Sequence, residues 1–403
     1  MKAAEPTVAA PPATDLVPLP DRFVALDIFR GITIAAMILV NNPGSWSYVY
    51  PPLLHAEWHG WTPTDLIFPF FLFIVGVAMA FSFHRRLARG IAPRWLYPKI
   101  LRRSVLLFLL GLFLHLIPID IPAGYNWFRD TFLNVRIPGV LQRIAVVYLL
   151  TAMLVLHFRP RTLVIWGVGL LAVYWLVMKT IPFTIMVDGQ PQRFVGILEP
   201  GLNLAAYVDD RLLRGFTWLQ GEYLHYDPEG VLSTIPAGAT CISGVLVGML
   251  LLQKKSQYEK VADLFFWGAL GLALGQILHG LFPINKNLWS PSYVVFTSGF
   301  AAVFLAMCIY LADIRGRRRW AKPFVIFGVN ALAYFMMAGI FTRILLLIRV
   351  GEEDVRLKTW LYRSIFVPLF GPMNGSLAFA VFYILFWLCI MSLLYRKRIF
   401  IKL

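Results

Sequence analysis

From residue 24 onward the chain is a succession of long apolar runs, each about 20 residues, separated by polar clusters. At about 1.5 Å per helical residue, a run of that length crosses the hydrocarbon core of a bilayer. The pattern predicts about ten spans, near 24–42, 64–84, 99–117, 139–157, 162–181, 233–252, 262–282, 291–312, 324–348 and 374–395. The expected fold class is therefore all-α, a polytopic membrane bundle. Residues 1–22, rich in Ala, Pro and Thr and without an apolar run, are expected to be a disordered cytoplasmic tail. Residues 23–403 then form one transmembrane domain. No cleavable signal peptide is expected, since the first span can serve as an uncleaved insertion signal. The longest connection, 182–232, is too long for a passive link and is expected to lie over a site on the periplasmic side. No tandem repeat at fixed spacing is evident.

Charge adds an orientation. The formal net charge of +16 would suggest nucleic acid in a soluble protein, but only 14% of residues are charged and 59% are hydrophobic. The bases cluster in alternate connections, at Arg85 to Arg103, Arg159 and Arg161, Lys254 to Lys260, Arg315 to Lys322, and in the tail from Arg396. The positive-inside rule makes these cytoplasmic, and an even number of spans puts both termini there. No nucleic-acid partner is expected; the Arg317 to Arg319 cluster reads as an anchor on anionic lipid. Cys241, Cys308 and Cys389 all fall in apolar spans, which favours packing over disulfides or metal.

The opposite connections collect acids and aromatics. Pro51 to Asp65 brings His55, Glu57, Trp58, His59, Trp61 and Asp65 together without a single Lys or Arg. A purely structural turn at a membrane edge needs none of those titratable groups. His55 and His59 are four residues apart, but the flanking prolines argue against a regular helix, so a metal site is not expected. Within the first span Asp27 and Arg30 are placed to pair. Arg30 and Asn41 differ by about 20° around the helix axis and about 16 Å along it. That geometry suggests a polar stripe lining a cavity towards His55; an interfacial ion pair with Asn41 and Asn42 capping the helix end accounts for the same residues.

Several strings carry a family resemblance. Leu26-Asp-Ile-Phe-Arg-Gly31, Leu39-Val-Asn41, His55-Ala-Glu-Trp-His-Gly60 and Asp65-Leu-Ile-Phe-Pro69 are followed by Arg136-Ile-Pro-Gly-Val-Leu-Gln-Arg143. Then come Tyr226-Asp-Pro-Glu-Gly-Val-Leu-Ser-Thr-Ile235, Pro283-Ile-Asn-Lys-Asn-Leu-Trp-Ser290 and the closing Tyr395-Arg-Lys-Arg-Ile-Phe400. In this order they resemble the heparan-alpha-glucosaminide N-acetyltransferase family and its bacterial relatives, transmembrane acyltransferases. The resemblance implies acetyl transfer from cytosolic acetyl-CoA to the amine of a terminal glucosamine across the membrane. It implies His55 as the active-site histidine, with Asn41 and Asp65 as its partners, and it makes a homodimer plausible. The chain differs at Glu57 and His59, where lysosomal members have a small residue and an asparagine, and it is expected to lack their luminal extension and extra first span.

The residue types suit that chemistry. An ammonium is not nucleophilic, and deprotonating it takes a base such as imidazole, ordinarily titrating at about 6.5. Asp65 would fix the tautomer and Asn41 would orient the carbonyl or stabilise the oxyanion. His55 could instead accept the acetyl group itself. On residues alone an interfacial histidine bonded to backbone is the plainer account; the resemblance reverses that order. For coenzyme A phosphates the candidates are Arg30, Gln142, Arg143, Asn285, Lys286 and Asn287, although Arg143 and Lys286 could equally be interfacial. Glu57, Trp58, His59, Asp227 and Glu229 are candidates for the amino-sugar pocket.

The expectation is a multi-pass enzyme of a bacterial inner membrane with acetyl-CoA as donor, an amino-sugar acceptor and no metal. An amino-sugar permease using His55 and Asp65 for proton coupling, or an O-acyltransferase of a cell-envelope glycan, remain the alternatives.

Overall fold

The computed structural model describes residues 23–221, 223–351 and 354–401; the expected tail, 1–22, lies outside them. Thirteen α-helices account for most of the described chain, and the only strands among the described residues form four two-stranded hairpins. Eight helical segments are long and apolar enough to cross a membrane. They include α1 (Val24–Asn41), α2 (Ile67–Ala88), α4 (Val140–His157), α5 (Pro160–Thr180), α7 (Thr234–Leu251), α8 (Gln257–Leu278) and α9 (Pro291–Ile309). The eighth segment, Leu357–Arg396, holds α12 (Leu357–Leu361) and α13 (Val367–Arg396), broken at Gly371 where φ is 75°.

Two expected spans take other forms. α3 (Tyr97–His115) is a helix where one was expected, but Lys99, Arg102 and Arg103 crowd its first half and set it apart from the eight apolar segments. The span near 324–348 is two helices, α10 (Lys322–Val329) and α11 (Ala331–Leu347), bent by 84° at Asn330; counting them as one gives nine spans. Asn330 fixes the corner, its Nδ2 donating to the Ile399 carbonyl and its Oδ1 accepting the Ile401 N–H.

Close helix contacts depend on missing side chains. A Cβ on Gly31 of α1 would stand 1.8 Å from the Phe324 carbonyl oxygen of α10, and one on Gly328 would stand 2.0 Å from the Asp27 carbonyl oxygen. Without a strong hydrophobic force between helices in lipid, such backbone approach is what packs them. Conversely α5 and α8 turn Ile165, Phe266 and Ile277 outward, as lipid-facing helices do.

The connection 182–232 is structured. It contains the hairpin β1 (Phe183–Val187) with β2 (Gln190–Phe194), in which Phe183 faces Phe194, and the short α6 (Leu204–Leu213). These share a small core with Tyr174 and Met178 of α5 and with Phe282 and Leu288. The Tyr174 hydroxyl donates to the Leu288 carbonyl at 2.6 Å, tying α5 to the connection before α9.

The polar stripe along α1 is interrupted. Between Arg30 and Asn41 the same face carries Ile34 and Met37, both buried. Arg30 pairs with Asp27 at 3.2 Å and donates to the Gly328 carbonyl at 3.3 Å, so its guanidinium serves the α1–α10 contact. Asn42 is buried, its Nδ2 donating to the Ile38 carbonyl and its Oδ1 accepting from Thr342.

Candidate active site

The prolines of the 51–65 turn shape it into two short 3₁₀ segments, Pro51–Leu53 and Pro63–Leu66, with Gly60 at φ 103° between them. Neighbouring elements hold it firmly. The Gly60 N–H donates to the Ile284 carbonyl at 2.7 Å, the Trp58 indole N–H to the Leu198 carbonyl at 2.7 Å, and Asn285 Nδ2 to the Trp58 carbonyl at 2.8 Å. Thr62 closes the loop on itself by donating to the Leu54 carbonyl at 2.6 Å.

That rigidity serves one carboxylate. Asp65 Oδ2 accepts the N–H groups of Ala56 and Thr62, each at 3.0 Å, the second closing a capping box at the helix start. The Tyr293 hydroxyl of α9 donates to the Asp65 backbone carbonyl at 2.5 Å. Asp65 Oδ1 is left for His55 Nδ1, 2.6 Å away. With Nδ1–H given to Asp65, His55 presents the Nε2 lone pair to a cavity of about 380 Å³. Asn41, at the end of α1, reaches the same cavity, as do Met37 and Val40 one turn earlier.

Two cations border it. Lys286 Nζ lies 3.0 Å from His55 Nε2. Burial lowers the Lys286 pKa, against the pull of Glu229 and Asp65. Arg136 grips Asp227 with two bonds, Nε to Oδ2 at 2.8 Å and Nη2 to Oδ1 at 2.6 Å, and also reaches Glu229. Its guanidinium stacks over Trp218 at 5.0 Å. Burial works against the charge of Glu229, but Arg136, Arg143 and Lys286 together hold its pKa below the usual carboxylate range. Beneath this network Asp209 of α6 accepts the N–H groups of Val231 at 2.9 Å and Asp227 at 3.2 Å; burial pushes its pKa up to about 6.

The residues singled out from sequence thus fall into groups. His55, Asp65, Asn41, Trp58, Glu229, Lys286 and Asn287 line the one cavity. Asp227 stands behind it on Arg136. Glu57 and His59 are exposed outside its lining; His59 faces Asn285 Nδ2 at 3.3 Å. Asn285 is 0% exposed, and its side chain is spent on Trp58, His59 and the Leu288 N–H, so it braces the turn. Gln142 is buried, its Nε2 facing His115 at 3.4 Å, and Arg143 donates to the Gly230 carbonyl and Ser233 while stacking 5.0 Å from Trp289. Neither lines the cavity, and Arg30 lies near the far end of α1.

Arg136 and Trp218 were missed as site residues. Arg136 stood in a quoted motif, and its signal was the matching pair of acids at 227 and 229. Trp218 has no local signal, since only the fold of the 182–232 connection brings it to the cavity.

The family model for the catalytic region of heparan-alpha-glucosaminide N-acetyltransferase matches residues 22–208. The human protein of that name is 30% identical over 438 aligned residues, covering 97% of this chain and 61% of the human one. The mouse protein is 32% identical over 359 residues, covering 78% of this chain and 53% of its own. The chain is thus similar in sequence to the heparan-alpha-glucosaminide N-acetyltransferase family. It spans a little over half the length of those curated relatives. The family-model match takes in the His55 turn and Arg136 but stops before Asp227, Glu229 and Lys286, which the human alignment, covering nearly the whole chain, does not leave out of reach.

A second cavity, of about 760 Å³, opens where α10 meets the end of α13. Arg319, Lys322, Arg396 and Arg398 line it together with Tyr395 and Phe400. An apolar cluster that includes Ile326 from its wall also includes Met37, Val40 and Ile67 from the wall of the His55 cavity.

Proposed function

We propose that this chain is an acyl-CoA-dependent N-acetyltransferase, moving acetyl from acetyl-CoA to the amine of glucosamine or a terminal glucosaminide. The reading places His55 at the periplasmic face of a bacterial inner membrane, with the basic connections and both termini on the cytoplasmic side. The observation that carries it is the 2.6 Å bond from His55 Nδ1 to Asp65, which leaves Nε2 facing a cavity large enough for one sugar ring.

Six of the wall residues have a task in that reaction. His55 Nε2 takes the proton of the acceptor's ammonium, and Asp65 stabilises the imidazolium that results. The freed amine attacks the thioester carbon; the N–C bond forms, the C–S bond breaks, the departing thiolate takes the proton that the attacking nitrogen sheds, and the proton first held by His55 leaves to solvent. The Asn41 amide is placed to donate to the carbonyl oxygen as charge develops there. Trp58 and Trp218 offer aromatic faces to the sugar, and Glu229 an acceptor for its hydroxyls or ammonium.

The donor's phosphates match the basic cavity better than the site itself. Four cations converge there, whereas Gln142 and Asn285 are committed to internal partners and Arg143 is buried away from the His55 cavity, bonded through Nη2. A coenzyme A held at that end would have to extend its pantetheine arm along the apolar cluster that contributes to the walls of both cavities to meet His55.

Acetyl transfer from radiolabelled acetyl-CoA to glucosamine by protein in lipid nanodiscs tests the proposal, with His55→Ala as comparison. Product from the parent protein alone supports it. Bound donor without product, across a panel of amino sugars, overturns the acceptor class, and proton-coupled uptake without acetylation would replace the reading with transport.

A further inference from the structure

Lys286 enters the His55 cavity from the opposite wall, and its position is fixed. The preceding residue, Asn285, is bonded through its side chain to Trp58 and Leu288 and through its N–H to Ser290 Oγ at 3.0 Å. From that base the Lys286 Nζ stands 3.0 Å from His55 Nε2 and 3.2 Å from Nδ1. Because Nδ1–H is already given to Asp65, the lysine's donor can be received only at Nε2. Nε2 is the atom from which an incoming amine would be deprotonated. The protein therefore holds a primary amine of its own where the acceptor's amine has to come. Burial, the leading influence on Lys286, favours the neutral and nucleophilic form of that amine.

We propose that Lys286 is a self-acetylation site, modified when an acetyl thioester occupies the cavity and no amino sugar competes for it. The inference rests on the reading above that the donor is acetyl-CoA. The step balances without another reagent. Neutral Nζ attacks the thioester carbon and the C–S bond breaks; the amine's surplus proton moves to His55 Nε2 and on to the thiolate, leaving N-acetyl-Lys286 and free coenzyme A. The product is a bulkier side chain in a cavity of about 380 Å³, where it can no longer take up a proton beside Asp65 and Glu229 and occupies acceptor space. Self-acetylation would thus mark enzyme that met donor without acceptor.

The test incubates the nanodisc-embedded protein with isotope-labelled acetyl-CoA, with and without excess glucosamine, and locates the label by peptide mass spectrometry. Lys255, which pairs with Asp263 at 2.6 Å on the surface, is the internal reference for uncatalysed acetylation. Base assistance predicts labelling of Lys286 over Lys255 by about a hundredfold, loss of that excess in His55→Ala, and suppression by glucosamine. Lys286→Arg keeps a cation but offers no amine, and it should carry no label at this position. Label at Lys286 no greater than at Lys255, or indifferent to glucosamine, overturns the inference. If glucosamine is acetylated in that sample, only the role of Lys286 falls; if glucosamine is also unlabelled although acetyl-CoA binds, the proposed activity falls with it.

Discussion

His55 and Asp65 are joined at 2.6 Å across a sharp difference in exposure: the imidazole is 49% exposed and the carboxylate 1%. The buried partner is fixed by two backbone N–H groups and can only orient, while the exposed partner is free to meet a substrate. Asp65→Asn replaces an acceptor oxygen by an NH₂ group and cannot satisfy His55, Ala56 and Thr62 together. We expect kcat to fall by about 10²- to 10⁴-fold with donor affinity nearly unchanged, checked by steady-state acetyl transfer beside equilibrium donor binding.

Arg136 holds two carboxylates of the 182–232 connection and its continuation. Arg136→Met leaves Asp227 and Glu229 buried without their cation, which costs about 3–5 kcal/mol for a broken buried pair. The expected result is a lower Tm, and faster hydrogen exchange confined to residues near 218–231. Adding Asp227→Asn should restore part of the loss; equal, additive losses would show that the pair is not coupled.

Asp209 gives the same region a pH dependence. Its folded pKa is raised to about 6 by burial, above the ordinary 3.8, so the folded state prefers the protonated acid. Its contribution to stability is complete below about 4 and is lost as pH rises through about 6. Asp209→Asn, uncharged throughout, should therefore gain in Tm relative to the parent between pH 4 and 7, read as a difference curve in detergent. A flat difference would place the titration elsewhere.

The basic cavity supplies a binding prediction. Lys322→Ala with Arg398→Ala removes two of four cations and should weaken acetyl-CoA binding about tenfold, equivalent to about 1.4 kcal/mol. Donor fragments that lack the phosphates should not show this sensitivity, and kcat at saturating donor should change little. Unaltered affinity in calorimetry would move the phosphates away from this cavity.

Apolar run length was enough to place the helices, because hydrocarbon thickness dictates it. It could not foresee the 84° bend at Asn330, since a broken helix and a straight one have nearly the same hydropathy. The His55 turn was legible because titratable groups at a membrane edge are costly and hence conspicuous. The assignment of Asn285 and Lys286 to phosphates followed only from their residue types. The structure spends the Asn285 amide on the turn and puts Lys286 against His55, both through contacts spanning more than 220 residues. Periodicity along α1 suggested a stripe from Arg30 to Asn41, but matching the helix angle of two end residues left Ile34 and Met37 between them out of account.

The apolar cluster shared by the two cavities has an electrical meaning. Ile34, Ile38, Phe327 and Trp387 sit in it with few polar partners, a poor medium for a hydrated proton or sodium ion. On the proposed placement of the donor, a slender acyl-bearing arm would pass this seal while the charged nucleotide stayed behind. Carbon units would then cross without discharging the gradient that powers the rest of the membrane, and vesicles containing this protein should hold an imposed voltage during turnover.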